Sequence, residues 1–406
     1  MLSSNTLENL MRPIIARQDE INTYVITKIA KRVNEIGKVL PSDVNQLQRL
    51  MNVGADVRLI NQELSRLTGL QVVQIKKLIK QVAEAAYIDM KPFYDYRYKS
   101  FIPFKENRYL QREVEAIARQ TAGTYMNLSR SQGFMLRDLA NPKRLIPTPL
   151  SQAYQSVVDE AVQASQTGVI DYNTAMRRTI KQLGESGFRR IEFNTESGRV
   201  FTQRMDTAVR RNLMDGIRQV NQQVWLITGE EFGHDGVEIS AHSYPAPDHA
   251  AMQGHQYSNE QFNQMQSGEP FKDVQGRSYE GFDRQVGTLN CYHIAFPIII
   301  GVFKPTYTDE QLQGFLDANE KGYTFPNGKH LTLYECTQLQ RKLETKIRYM
   351  KDGQIAARAS GDTELAKYYQ AKINQYTNDY KAFSEACGIS AKTQRASVSG
   401  YHKIKT

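Results

Sequence analysis

The residues best suited to chemistry are gathered in one stretch. The chain has 7 histidines, and His234, His242, His249, His255 and His293 all fall between residues 234 and 293, with Cys291 beside the last of them. Imidazole and thiolate are the usual protein ligands of zinc. Cys291 and His293 are two residues apart, so on a strand both side chains leave from one face. His242 ends the alternating run VEISAH, on the face of Glu238 and Ser240. Two groups from each of two separated strand ends, His242 and His249 with Cys291 and His293, would close a tetrahedral structural zinc site and staple a module too loop-rich to have a large core. Two other readings use the same residues. Histidines in polar loops are often merely exposed and a lone cysteine on a strand is often core packing, which needs no metal. Alternatively, Asp248-His249 with Asn290 and His293 shares residue types with a His–Asn–His metal nuclease, which needs a base, a positioned water and an open coordination site. The spacing fits neither a C-x-x-C finger nor a ββα nuclease unit. The chain also lacks a P-loop, G-x-S-x-G and H-E-x-x-H.

The elements that must position these residues follow from hydrophobic periodicity. Between residues 225 and 305 the runs VWLIT, VEISAH and LNCYHIAFPIII predict short strands, and frequent Gly and Pro predict turns between them, a loop-rich α+β domain. Residues 1–90 predict helices, with Ile14, Ile21, Val25, Ile29 and Val33 on one stripe. The break at Pro41-Ser42-Asp43 offers Ser42 as an N-cap. Residues 91–224 form a second helical region. It opens on the proline- and aromatic-rich PFYDYRYKSFIPF, expected to be a linker or docking arm, and is interrupted at Asn141-Pro142, Pro147–Pro149 and a turn at Gly184–Gly187. Phe201, Met205, Val209, Leu213, Ile217, Val220 and Val224 make one continuous apolar stripe. Arg204, Arg211 and Arg218 share another face, either solvated or turned toward phosphate or carboxylate. In residues 306–406, Cys336, Leu339, Leu343, Ile347 and Met350 form one stripe, and Leu365, Tyr369, Ile373, Tyr376, Tyr380 and Phe383 a second. Gly361-Asp362 between them supplies a helix stop and an N-cap, giving a C-terminal helical hairpin and a basic tail. The expected fold class is α+β: a mostly helical chain with a small loop-rich α+β middle domain.

The formal net charge is +9 and the pI is near 9.2. Residues 341–406 hold 13 Lys and Arg against 6 Asp and Glu, so most of the excess lies at the C-terminal end. It is either a solvated helix surface or a contact for DNA or an acidic protein. Three widely spaced cysteines argue against a disulfide framework. The first residues lack an apolar signal region, and the run Ile294–Val302, interrupted by Pro297, is too short to span a bilayer. The expectation is a soluble protein of a reducing compartment, with no membrane anchor.

Several longer stretches resemble a known family. FIPFKEN at 101–107, QTAGTYMNLSRSQGF at 120–134, TGVIDYNTAMRRTIKQL at 167–183 and SGRVFTQRMDTAVRRNL at 197–213 are similar to the phage minor capsid proteins of the second type, related to the Mu F-like head proteins. So are ISAHSYPAPDHAAMQGHQYS at 239–258, LNCYHIAFP at 289–297 and YECTQLQRKLETKIRYMK at 334–351. The specific part is S-x-H…D-H-A-x-x-Q-G-x-x-Y-S…N-C-x-H. The resemblance implies a structural, non-enzymatic protein of the virion head, made in the host cytoplasm. Its implied partners are the portal protein, other head proteins and packaged double-stranded DNA, and its implied roles are head assembly and DNA packaging or ejection. His242, His249, Cys291 and His293 fall on the family's recurrent polar positions. His255 stands where Lys is common and leaves the ligand set, and Tyr292 stands where Arg is usual. Arg199 and Arg210 match basic positions and, with Arg211, are expected at an interface or against DNA. The competing class is a metal-dependent DNA-processing enzyme using the His/Cys cluster.

Overall fold

The computed structural model describes residues 4–36, 43–96, 99–138, 140–141, 143–167, 172–193, 200–281, 284–287, 291 and 293–405. In chain order the elements begin with helices α1 (Ser4–Ile36), α2 (Asp43–Asp89), α3 (Lys91–Tyr96) and α4 (Arg108–Arg130), then strands β1 (Gln132–Arg137) and β2 (Leu145–Pro149). Helices α5 (Leu150–Thr167) and α6 (Tyr172–Ser186) lead to β3 (Arg189–Phe193), β4 (Val200–Arg204) and the long α7 (Met205–Glu231). The middle holds β5 (Gly236–Ile239), β6 (Gln256–Ser258), α8 (Asn259–Ser267), β7 (Phe271–Lys272), β8 (Ser278–Tyr279) and β9 (Ala295–Ile298). After it come α9 (Asp309–Lys321), β10 (Tyr323–Thr324), β11 (His330–Leu331), α10 (Leu333–Ala359), α11 (Thr363–Ala386) and a 3-10 turn at Thr393–Ala396. The chain is the mostly helical α+β protein expected. It divides into two compact units: Met1–Met11 with Val73–Gly123 and Arg211–Leu339, and Arg12–Val72 with Thr124–Arg210 and Gln340–Thr406.

The first unit contains the His/Cys stretch. Its sheet has the order β6-β5-β9, all antiparallel, with Val237 opposite Tyr257 on one side and opposite Pro297 on the other. Pro297 is tolerated because β9 is an edge strand. Val237, Ile239, Met252, Tyr257, Phe262, Met265, Phe271, Val286 and Ala295 form the core, and α8 is fixed over it by a capping box between Ser258 and Gln261. Two expectations are corrected here. VWLIT is not a strand: α7 runs through it, because Val220, Val224 and Ile227 continue the buried helical stripe, and that period outweighs the strand preference of five residues. Of the two readings of PFYDYRYKSFIPF, linker or docking arm, the linker is the one that fails: the segment docks within its own unit. Pro92 sits in the first turn of α3, where a missing N–H costs nothing. The segment then folds back so that Phe101 stacks on Tyr87 at 4.8 Å and Tyr94 meets Phe232 edge-on at 4.9 Å.

The second unit is built on an antiparallel sheet of order β2-β1-β3-β4, which the sequence reading had as helix with breaks. The prolines read as interruptions, Pro147 and Pro149, lie in β2 at the sheet edge, where their lost donors face no partner strand. The C-terminal hairpin is as expected. Gly361 takes a left-handed backbone with φ 77°, Asp362 accepts the Leu365 N–H at 2.9 Å, and α10 and α11 run antiparallel. Gln354 meets Gln370 at 2.8 Å, and Tyr380 donates to Glu344 at 3.0 Å. The turn expected at Gly184–Gly187 falls at its far end, where α6 closes at Ser186 and Gly187 takes a left-handed backbone with φ 62°; Gly184 lies inside α6 and serves a close approach, since a Cβ there would stand 2.3 Å from the Gly353 Cα. Ser42 lies outside the described residues, and α2 begins at Asp43. Among the described residues no helix is long and apolar enough to cross a membrane.

Candidate metal centre

Backbone bonds bring the two ligand-bearing segments together. Ser240 donates its N–H to the Ile294 carbonyl at 2.9 Å, and Ile294 returns its own to the Ser240 hydroxyl at 2.9 Å. The chain after β5 and the chain before β9 therefore run side by side beyond the sheet. The loop that leaves β5 comes back to it: Gly254 donates to the Ile239 carbonyl at 2.8 Å, and Ile239 to that of His255 at 3.0 Å. Gly254 has φ 76°, and an added Cβ would press 2.2 Å from a Leu312 methyl, so only glycine closes this loop without strain. Cys291 and His293 precede β9 instead of lying in it, yet their side chains still converge.

The Cys291 Sγ stands 3.3 Å from the Nδ1 of His249 and 3.3 Å from the Nδ1 of His293. The ligand atoms of these three residues all lie within 4.8 Å of one another. Each residue is buried, with His249 at 0%, His293 at 2% and Cys291 at 3% exposure. The far nitrogen of each ring is engaged. His249 Nε2 donates to the Arg284 carbonyl at 2.8 Å. His293 Nε2 donates to Gln253 Oε1 at 3.1 Å, the same oxygen that accepts the His242 backbone N–H at 3.0 Å. Arg284 is itself held by Asp248, Nε to Oδ2 at 2.9 Å.

These partners decide the tautomers. A carbonyl oxygen only accepts, so His249 carries its proton on Nε2. Gln253 Oε1 already accepts an N–H, so it is the oxygen end of that amide, and His293 too is protonated on Nε2. Both Nδ1 atoms therefore turn lone pairs toward one sulfur. Burial pushes the His293 imidazole down to about 2, with His242, His249 and Arg284 adding to the effect. Burial lowers His249 in the same direction and raises the Cys291 thiol, so near neutral pH the rings are uncharged. Burial also brings His242 down to about 4.

The structure brings together three of the four predicted ligands. His242 stacks on His293 with ring centroids 4.6 Å apart and planes 25° from parallel, beside the mutual set and not within it. His255 is elsewhere, with its Nδ1 2.6 Å from Arg277. Gln253 was not singled out although it lies in the D-H-A-x-x-Q-G stretch, where its signal was an amide four residues from His249. Of the predicted arginines, Arg199 lies outside the described residues, as do Asn290 and Tyr292. Arg210 and Arg211 are half-buried on α7, the latter 4.0 Å from Asp215. Of the two readings of the arginine row, solvated or turned toward phosphate or carboxylate, Arg204 follows the second. Arg204 ends β4, not α7, and its side chain is 2% exposed between Asp206 and Asp352; Arg218 is buried as well.

The fold is that of a mostly helical α+β protein, and its first unit holds a thiol–imidazole cluster buried from solvent. The model of the family described as phage minor capsid protein 2 matches residues 2–385. The chain belongs to this family and is a structural capsid component of a bacteriophage. Comparison with curated proteins and with solved structures gives no match.

Proposed function

We propose that the chain is a minor head protein associated with the portal vertex, where it contacts portal subunits, other head proteins and packaged double-stranded DNA, and aids assembly, packaging or ejection. Family membership over residues 2–385 carries this reading. Two features support it. The Lys and Arg excess of residues 341–406 suits sequence-independent contact with phosphate. The His/Cys cluster is closed, as a staple is, whereas an active site keeps a route for substrate. The protein is made in the host cytoplasm, where its three buried cysteines, none in a disulfide, stay reduced.

Quantification of the chain in purified heads tests the reading. The expected result is a small, fixed number of copies relative to the major shell protein, retained after the head is emptied of DNA. Absence from finished heads would overturn it. The second reading, a metal-dependent DNA-processing enzyme, draws on Asp248, His249 and His293. It is opposed by the burial of both rings and by the engagement of Asp248 with Arg284. Incubation of the full chain with duplex DNA and magnesium, manganese or zinc is expected to leave the DNA intact. Cleavage lost in His249→Ala or His293→Ala would favour the enzyme.

A further inference from the structure

We propose that His249, Cys291 and His293 bind one divalent cation of the zinc class, and that the ion ties the loop after β5 to the segment before β9. The Arg284 carbonyl and Gln253 Oε1 fix both imidazole protons on Nε2. Two Nδ1 lone pairs then face one sulfur at 3.3 Å each. A neutral thiol has a single proton and can donate it to one of them. The other contact sets a nitrogen lone pair against a sulfur lone pair inside a buried site, which costs energy. A cation bound by the thiolate and both Nδ1 atoms removes this conflict, because all three groups then point electron pairs at one positive centre.

Spacing and surroundings agree. Ideal tetrahedral zinc–sulfur and zinc–nitrogen bonds put a sulfur and a nitrogen about 3.5 Å apart, against the 3.3 Å found twice here. Each ligand imidazole passes its other N–H to an oxygen acceptor, the usual support of a zinc-bound histidine, which fixes its tautomer and orientation. Two histidines and a cysteine select zinc-class ions over magnesium or calcium, which prefer oxygen.

The test uses the full chain expressed in zinc-supplemented medium and dialysed against metal-free buffer. Elemental analysis is expected to give about one zinc per chain. Replacement by cobalt(II) is expected to produce a thiolate-to-cobalt charge-transfer band in the near ultraviolet. Cys291→Ser should abolish the band and His249→Ala should lower the metal content at least tenfold, while Cys336→Ser, which alters an equally buried cysteine outside the cluster, keeps both. A folded wild-type chain that carries no zinc and takes none up from added zinc overturns the proposal without any variant. So does a zinc content in Cys291→Ser equal to that of wild type.

Discussion

Gln253 holds two things with one oxygen: the backbone of His242 and the ring of His293. Replacing it by leucine, close in size and without an acceptor, strands both donors, and such losses cost about 1–3 kcal/mol each. Chemical denaturation of Gln253→Leu is therefore expected to show a destabilisation of that order, and a change under about 0.5 kcal/mol would contradict the role given to it. Asp273 is the other concentrated acceptor in this unit. It takes the N–H groups of Gln275 and Arg277 at 3.0 and 2.9 Å on one oxygen, and the Tyr279 hydroxyl at 2.9 Å on the other. Burial pushes this carboxyl up, but the bonds from Arg277 and Tyr279 outweigh it and hold it below its ordinary value of 3.8. A depressed carboxylate stabilises the fold above its unfolded value, and that contribution is lost as pH falls through the folded one. The stability of wild type is accordingly expected to fall more steeply than that of Asp273→Asn as pH drops below about 4. Parallel curves for the two proteins would rule this out.

At the scale of elements, what the sequence made legible was what repeats. The apolar stripes of α10 and α11, and the Gly361-Asp362 stop between them, needed only a period and a cap to be read. The stripe through Val220 and Val224 was just as regular, and it was cut short only because VWLIT looks like a strand in isolation. The β2-β1-β3-β4 sheet stayed hidden because its pairings join residues far apart, such as Gln132 with Arg190, and because edge prolines imitate loop breaks. The buried ion network of the second unit was hidden for the same reason. Arg204 reaches Asp206 two residues on, but also Asp352, and Asp206 in turn meets Arg348 at 2.8 Å. Asp352→Ala leaves the Arg204 guanidinium short of a partner in a dry site, with an expected loss of about 3–5 kcal/mol. Thermal unfolding within experimental error of wild type would mean that the pair is not as buried as it stands. Gly353→Ala belongs to this scale too: its Cβ would lie 2.4 Å from the Tyr369 ring, so α10 and α11 must separate. Far-ultraviolet circular dichroism during heating is expected to show an earlier transition, and an unchanged one would contradict the close packing. The candidate site was legible as a set of ligand types, yet its second layer was not, because the Arg284 carbonyl has no signature in any side-chain pattern.

For the whole molecule, charge and family point the same way. In the proposed contact with DNA, the chain of net charge +9 releases the counterions of the phosphates it covers, a gain that shrinks as salt rises, so log affinity should fall linearly with log salt. Lys403→Ala with Lys405→Ala, both exposed beyond the hairpin, is expected to flatten that slope by up to about two phosphate contacts; an unchanged slope would remove the tail from the interface. Membership of the phage minor capsid protein 2 family establishes a structural capsid role, and a position at the portal vertex is what we propose beyond it. Cryo-electron microscopy of intact heads, reconstructed without imposed icosahedral symmetry, tests it most directly. Density for this chain is expected at the single portal-bearing vertex; equal density at every vertex, or density spread over the shell, would rule that position out.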